Sequence, residues 1–226
     1  MGVYAGGSFA LGDYLPGRSD LDIGAVVGEP LTRELGDKVV ARLRHESLPC
    51  PARCLELVVY ALETTRSGSP APDFELNLNT GAGMEPRVQT GGDSSDVGAH
   101  WFPIDRSVLS QAGVALLGPA AGDVFAPIPR AALIPVVVAS IRWHREHESE
   151  PSDAVLNSCR ALRYAEEGRW SSKPAAGRWV VAHGVAPDDL VSQALQARAE
   201  GSALDPSEVG AFLQSVELRL RQLLAG

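Results

Sequence analysis

An apolar run that begins with two aspartates constrains the fold of this chain more than any other feature. The segment DLDIGAVVG, residues 20–28, has the pattern of a β-strand that is closed by Gly28 and Pro30. Residues two apart in a strand point to the same side, so Asp20 and Asp22 present their carboxylates together. Two like charges this close repel each other unless a cation lies between them. The sequence therefore predicts a metal site at the start of a buried strand.

A glycine-glycine-serine sequence upstream of this strand points to a phosphate ligand. Gly6 and Gly7 allow the backbone to approach a ligand closely, and the Ser8 hydroxyl and neighbouring N–H groups can bind phosphate oxygens. An isolated Asp-x-Asp is explained as well by a turn and a solvated side chain. Here, however, Gly-Ser and then Ser19-Asp-x-Asp combine phosphate donors with the hard oxygen ligands that Mg²⁺ prefers. We therefore expect a site for a nucleoside triphosphate with magnesium, without the G-x-x-x-x-G-K-[ST] pattern of a P-loop.

A third carboxylate is expected from a neighbouring strand. In CLELVVYAL, residues 54–62, Glu56 is the one charged residue of a β-rich run. A charge inside a strand is costly when it is desolvated without a partner, which indicates a functional role. Glu63 and Glu75 are alternatives, but Glu63 lies at the strand end and Glu75 fits the polar side of an alternating strand. We therefore predict that Glu56 completes the site.

The rest of the chain predicts an α/β half followed by a helical half. In the first half, strands are predicted at residues 3–7, 54–62, 74–79 and 100–104, and a helix at 32–47. The composition changes at GPAAGDVFAPIPR, residues 118–130, whose glycines and prolines are typical of a junction. Beyond it, apolar periodicity predicts helices at residues 152–168, 173–184 and 205–224. We therefore expect an α/β domain at residues 1–128 and an all-α domain at 129–226.

Composition and charge exclude several classes of protein. The 226 residues carry a net charge of −8, whereas general nucleic-acid binders need a cationic surface. Cys50, Cys54 and Cys159 fit neither a disulfide framework nor a zinc site, which favours a reducing compartment. No signal peptide is visible, and no apolar run reaches the roughly 20 residues that cross a bilayer. We expect a cytoplasmic monomer that binds a cationic small molecule, and neither nucleic acid nor membrane.

The segment GGSFALGDYLPGRSDLDI resembles the signature of the nucleotidyltransferase superfamily with the DNA-polymerase-β-like fold. Three further segments, CLELVVY, GVALLGPAAGDVFAPIP and VLNSCRALRYAEEGRWSSKPAAGRW, are similar to the aminoglycoside adenylyltransferases that modify streptomycin and spectinomycin. This resemblance implies a polymerase-β-like domain, with a mixed sheet and helices, followed by a helical bundle, and an active site in the cleft between the two. It implies ATP as co-substrate, Mg²⁺, transfer of AMP to a drug hydroxyl, and release of pyrophosphate.

The resemblance also assigns roles to individual residues. Asp20 and Asp22 correspond to metal ligands, and Glu56 corresponds to the catalytic base and a ligand of a second metal ion. The residues expected to bind the nucleotide are Gly7, Ser8, Ser19, Arg160 and Lys173. Lys173 immediately precedes Pro174 at a helix start, where the free N–H groups also favour phosphate. For Arg160, a surface salt bridge explains the sequence equally well.

The drug site is expected in the segment IRWHREHESEPSD. A cationic, hydroxyl-rich ligand needs carboxylates and a flat apolar surface, which Trp143, Glu146, Glu148, Glu150 and Asp153 would supply. A merely solvated acidic loop is the alternative. The sequence is also compatible with two other functions. One is a nucleotidyltransferase that modifies a protein, as in toxin–antitoxin systems, and the other is a nucleotide-binding module without turnover.

Overall fold

A six-stranded mixed sheet forms the frame of the N-terminal part of the chain. The computed structural model describes residues 1–91, 98–147, 150–185 and 188–225, which divide into two units, Met1–Ile128 and Pro129–Gly226. The strands of the first unit are β1 (Gly2–Ala5), β2 (Leu21–Val27), β3 (Cys54–Ala61), β4 (Leu76–Gly81), β5 (Arg87–Thr90) and β6 (Val114–Leu117). Its helices are α1 (Gly7–Ala10), α2 (Arg33–Leu43), α3 (Leu62–Arg66), α4 (Trp101–Ala112) and α5 (Ala121–Val124).

The strand order places the two predicted site strands next to each other at the centre of the sheet. The order is β5-β4-β3-β2-β1-β6. Strands β2 and β3 pair in parallel, with Asp22 opposite Glu56, whereas the other pairs are antiparallel. Because the side chains of directly aligned residues point to the same face of a sheet, this register brings the carboxylates of the two strands together.

Each face of the sheet has its own apolar core, and the alternation along β3 divides its side chains between them. Val58 and Tyr60 pack on the face covered by α4 and α5, whereas Leu57 and Val59 pack on the face covered by α2. Glu56 is two residues from Val58, so it points to the same face as α4 and α5. The site is therefore on the face that α4 covers.

The second unit is entirely helical over its described residues. Its helices are α6 (Arg130–His147), α7 (Pro151–Glu167), α8 (Lys173–Ala182), α9 (Asp188–Glu200) and α10 (Pro206–Ala225). α7 ends at Gly168, whose positive φ of 69° is a conformation that favours glycine. Among the described residues, none of the helices combines the length and the apolarity that a bilayer crossing requires.

One predicted strand is wrong. The segment HWFPI, residues 100–104, was expected to be an edge strand, but Trp101 begins α4. Pro103 is the third residue of this helix, where the backbone N–H has no intrahelical partner and proline therefore costs no hydrogen bond. Two short strands, β5 and β6, were not predicted from the sequence. The α/β-then-α order of the fold is confirmed.

Candidate active site

The predicted carboxylates lie together where β2 and β3 begin. Asp20 directly precedes β2, and Asp22 is aligned with Glu56 across the parallel pair. Ligand atoms of Asp20, Cys54 and Glu56 all lie within 4.8 Å of one another, a spacing that a single metal ion can bridge. The local cause is the parallel register, which starts both strands at the same edge of the sheet.

Two neighbours of Glu56 in the sequence bind Asp20. The Arg53 guanidinium donates from Nε to Oδ1 of Asp20 over 2.8 Å, and a terminal N–H donates to Oδ2. The Cys54 thiol donates to Oδ1 over 2.9 Å. Burial, followed by this hydrogen bond, raises the pKa of Cys54 well above its usual range. The carboxylates of this cluster, rather than the Cys54 sulfur, are the hard oxygen ligands that Mg²⁺ prefers.

The glycine turn before β2 is shaped around Asp22. The N–H of Gly6 donates to the backbone carbonyl of Asp22 over 2.9 Å. Gly7 has a φ of +47°, and a Cβ at this position would overlap the Asp22 carboxylate. The hydroxyl of Ser8 is buried and has no hydrogen-bond partner among the described residues. A buried, unsatisfied hydroxyl is costly, so a ligand oxygen at this position would stabilise it.

Ser19, another predicted ligand of the nucleotide, has partners in the protein. Its hydroxyl accepts from the N–H of Leu15 over 3.0 Å, and its carbonyl accepts from the N–H of Arg53 over 3.2 Å. The first bond lies within the loop before β2, and the second links this loop to the residue that precedes β3. In this structure Ser19 therefore aligns the two halves of the carboxylate cluster.

The pKa of the half-buried Glu56 is raised well above its usual range. Burial is the largest cause that raises its pKa, followed by the negative charges of Asp22, Asp20 and Asp105, while Arg53 acts in the opposite direction. Asp105 lies on α4 and was not predicted from the sequence. A carboxyl group with a raised pKa surrounded by other carboxylates is typical of an acid–base catalyst.

The second unit contains a cluster of cations around one aspartate. Asp153 accepts from Lys173 Nζ at 2.8 Å and from Arg198 at 3.2 Å. Burial is the main cause that lowers the pKa of Lys173, whereas Asp153 raises it. Arg160 donates to the carbonyl of Ser171 over 3.0 Å. The cluster has more cations than acids, which suits an anionic ligand.

The residues expected to bind the drug have different environments. The ring of Trp143 stacks on His147, with centroids 5.6 Å apart. Glu146 lies 3.7 Å from Arg145, and Glu150 is the N-cap residue of α7. Glu148 lies outside the described residues. Asp153 differs from the other acids because it is bound by Lys173 and Arg198.

The two parts of the chain match two known families. Residues 2–66 match the nucleotidyltransferase domain, and residues 123–217 match the C-terminal domain of aminoglycoside adenylyltransferases. The chain therefore combines a nucleotidyltransferase domain with the C-terminal domain of aminoglycoside adenylyltransferases. With these two domains, the chain is an enzyme of the nucleotidyltransferase class.

A solved structure has the same fold as this chain. It is the spectinomycin adenyltransferase AAD(9) from Enterococcus faecialis, determined with ATP and spectinomycin. The similarity covers 98% of this chain and 91% of that chain, with a TM-score of 0.69 and 18% sequence identity. No curated protein matches the chain. The resemblance and the fold class predicted from the sequence are thereby confirmed.

Four residues of the two clusters were missed by the sequence analysis. They are Arg53, Cys54, Asp105 and Arg198. Arg53 and Cys54 lie within three residues of Glu56, so their positions next to a predicted catalytic residue were the available signal. Asp105 and Arg198 are brought in by the packing of distant segments, and no local pattern marks them.

Proposed function

We propose that this protein transfers AMP from ATP to a hydroxyl group of a cationic antibiotic such as streptomycin or spectinomycin, in a magnesium-dependent reaction that releases pyrophosphate. The observation that carries this proposal is the cluster of Asp20, Asp22 and Glu56 beside the Gly-Gly-Ser turn. The related AAD(9) structure, which contains ATP and spectinomycin, supports the choice of both substrates.

The residues present fit a magnesium ion. Asp20 and Asp22 would bind it through carboxylate oxygens, and the unpartnered hydroxyl of Ser8, the residue after Gly7, would bind a phosphate oxygen. The ion would neutralise charge on the phosphates and on the departing pyrophosphate. Gly7 leaves room for the Asp22 carboxylate close to the backbone, so the turn and the metal ligand form one structural unit.

Glu56 would act as the general base. In the reaction, the drug oxygen forms a bond to the α-phosphorus, the bond from that phosphorus to the bridging oxygen breaks, and the hydroxyl proton passes to Glu56. A base is most effective when its pKa lies near the working pH, and the burial of Glu56 and the nearby carboxylates raise its pKa in that direction. The alignment of Glu56 with Asp22, next to the carboxylates that would hold the ion, supports this role.

The second unit would supply cations for the nucleotide and carboxylates for the drug. We assign Arg160 and Lys173 to the phosphates of ATP, since the cluster around Asp153 has an excess of positive charge. Trp143, Glu146, Glu148 and Glu150 would bind the cationic drug. Asp153, which was expected with them, contacts Lys173 and Arg198, so its position supports a role beside the nucleotide cations.

The decisive experiment measures pyrophosphate release with ATP, Mg²⁺ and a panel of aminoglycosides, and identifies the product by mass spectrometry. Glu56→Gln should bind ATP normally but lose turnover, because the amide cannot accept the proton. Glu63→Gln is the matched control, since Glu63 is an exposed residue of α3. AMP transfer to a protein, with no aminoglycoside modified, would favour the protein-modifying alternative. ATP binding without any transfer would favour a binding module.

The assignment of the drug site needs a separate measurement. Neutralising Glu146, Glu148 and Glu150 together should weaken aminoglycoside binding strongly and ATP binding little. Single substitutions are less informative, because exposed ion pairs contribute only about 0.2–1 kcal/mol each. Calorimetry at two salt concentrations would test the electrostatic origin, since surface charges are screened over about 8 Å at physiological ionic strength. Unchanged drug affinity in the triple variant would leave the acidic segment as a solvated surface.

A further inference from the structure

Arg53 already binds the carboxylate that the proposed function assigns to the metal. Its Nε donates to Oδ1 of Asp20 over 2.8 Å, and a terminal N–H donates to Oδ2. Two parallel charge-assisted hydrogen bonds make this one of the stronger kinds of side-chain pair. Together with the bond from Cys54 to Oδ1, they occupy three of the roughly four lone-pair positions of the carboxylate, which leaves little of it for a divalent ion. Arg53 and a metal therefore compete for Asp20.

The Arg53 side chain can leave without disturbing the core. It is 58% exposed, whereas the Asp20 side chain is only 17% exposed. The backbone N–H of Arg53 binds the carbonyl of Ser19 over 3.2 Å, and this bond holds the main chain whatever the guanidinium does. Asp20 is thus the fixed partner of the pair, and Arg53 is the partner with access to solvent and to a bound ligand.

The charges around Arg53 favour this position only while no metal is bound. The Asp20 carboxylate binds the Arg53 guanidinium directly, and the charge of Glu56 also attracts it. Asp22 and Asp105 are the other acids close to Glu56. A divalent ion on Asp20 would place two positive charges next to the guanidinium, which would repel it. The phosphates that accompany the ion offer the same flat, two-bond geometry that a guanidinium binds well.

We propose that Arg53 is the counter-ion of the metal-free site, and that it releases Asp20 and binds the nucleotide phosphates when the metal-bound nucleotide enters. The inference rests on the proposed function and adds a nucleotide-binding residue to it. Without metal, Arg53 limits the repulsion among the clustered carboxylates. With metal and nucleotide, it contacts the substrate, and Asp20 is free to ligate the ion.

The proposal predicts changes of opposite sign in two affinities of Arg53→Gln. In the absence of nucleotide, Mn²⁺ should bind about threefold to fivefold more tightly than to the wild type, the size that partly exposed ion pairs usually contribute. With Mn²⁺ saturating, an ATP analogue with a methylene group between the α- and β-phosphates should bind about tenfold more weakly, because a charged hydrogen bond is lost. Free Mn²⁺ is measured by electron paramagnetic resonance and the nucleotide by calorimetry.

Arg44→Gln is the matched control. Arg44 forms an exposed pair with Glu46 at 3.3 Å, so its substitution removes the same charge from the same unit without touching Asp20. Both of its affinities should equal those of the wild type. Arg53→Lys provides a second variant should Arg53→Gln fold poorly. It keeps the charge but loses the paired hydrogen bonds, and Mn²⁺ should again bind more tightly than to the wild type.

Weaker Mn²⁺ binding to Arg53→Gln would overturn the inference, since Arg53 would then orient Asp20 for the metal. Unchanged affinities, or the same shifts in Arg44→Gln, would also overturn it. Asp20→Asn distinguishes a failure of the proposed function from a failure of the inference about Arg53. If the wild type binds no Mn²⁺, or Asp20→Asn binds it normally, the proposed function fails together with the inference. If Asp20→Asn loses Mn²⁺ and Arg53→Gln does not differ from the wild type, the inference alone fails.

Discussion

Gly7→Ala tests whether the glycine turn exists to accommodate Asp22. The substitution has two separable effects. The φ of +47° is unfavourable for any residue with a Cβ, at a cost of about 1–2 kcal/mol. In addition, the new Cβ would overlap the Asp22 carboxylate, so this side chain must move or the turn must open.

Gly12→Ala isolates the first effect from the second. Gly12 has a φ of +72°, but a Cβ there would meet no atom within 4 Å. The positive φ alone should therefore cost both variants about 1–2 kcal/mol of stability, at about 3–5 °C in melting temperature per kcal/mol for a unit of this size, and the overlap should add to the loss in Gly7→Ala. Only Gly7→Ala should displace a metal ligand. A displacement of about 1 Å in a catalytic site can lower the rate about 100-fold, and we expect a loss of this size in kcat.

The assay compares kcat for pyrophosphate release, the Mn²⁺ affinity and the melting temperature of the two variants. Gly7→Ala should lose turnover and Mn²⁺ affinity, while Gly12→Ala should keep both. Equal kcat values in the two variants would show that the overlap with Asp22 has no functional consequence, and the role of Gly7 given above would be wrong. A loss of activity in Gly12→Ala would point instead to the flexibility of the turn.

Three further predictions concern charge, stability and thiol reactivity. Asp20→Asn and Asp22→Asn should each abolish turnover at limiting Mg²⁺ while the circular dichroism spectrum stays unchanged; near-wild-type turnover in either would exclude that residue as a metal ligand. Arg106→Ala should lower the free energy of unfolding by about 3 kcal/mol or more in a denaturant titration. The reason is that Arg106 is buried and donates to the carbonyls of Thr64, Ser69 and Ala71. A loss below about 1 kcal/mol would mean that water replaces the guanidinium as the donor to these carbonyls. Burial raises the pKa of Cys159 to about 12, so this thiol should react with maleimide only after unfolding, whereas the half-buried Cys50 should react in the native protein, as peptide mapping would reveal.

The parts of the site that could be predicted are those that depend on local sequence. Alternation and β-branched residues predicted β2 and β3, and the Asp-x-Asp spacing indicated two carboxylates at the start of β2. The glycine turn was recognisable because a positive φ and close backbone approach both favour glycine. Glu56 was selected as the one charge in an apolar strand, and the parallel register aligns it with Asp22. Each of these inferences needed only a few adjacent residues.

The remaining parts depend on contacts between distant segments. Arg53 binds Asp20 across 33 positions of sequence, a pairing that follows from the parallel register of β2 and β3. Asp105 directly follows HWFPI, which the sequence pattern predicts as a strand and which begins α4 in the structure. Five residues are too few to distinguish the strand period from the first turn of a helix, so the sequence did not place Asp105 on a helix. Arg198 contacts Asp153 only because α9 packs on α7. Periodicity in the sequence cannot supply such pairings.

Each unit contains a cluster of like charges together with one residue of the opposite charge. The carboxylates of the first unit would bind a metal, and Arg53, which pairs with Asp20, would compensate its charge until the metal binds. The cations of the second unit would bind phosphates, and Asp153 compensates Lys173 and Arg198. A desolvated charge without a partner is costly, so an internal counter-ion keeps each cluster folded in the absence of substrate. Under the proposed function, nucleotide binding would replace an internal ion pair by an ion pair with the ligand. The binding free energy would then be the difference between the free energies of these two ion pairs. Such an exchange would lower the net affinity for the nucleotide, which would favour product release if the proposed reaction is correct.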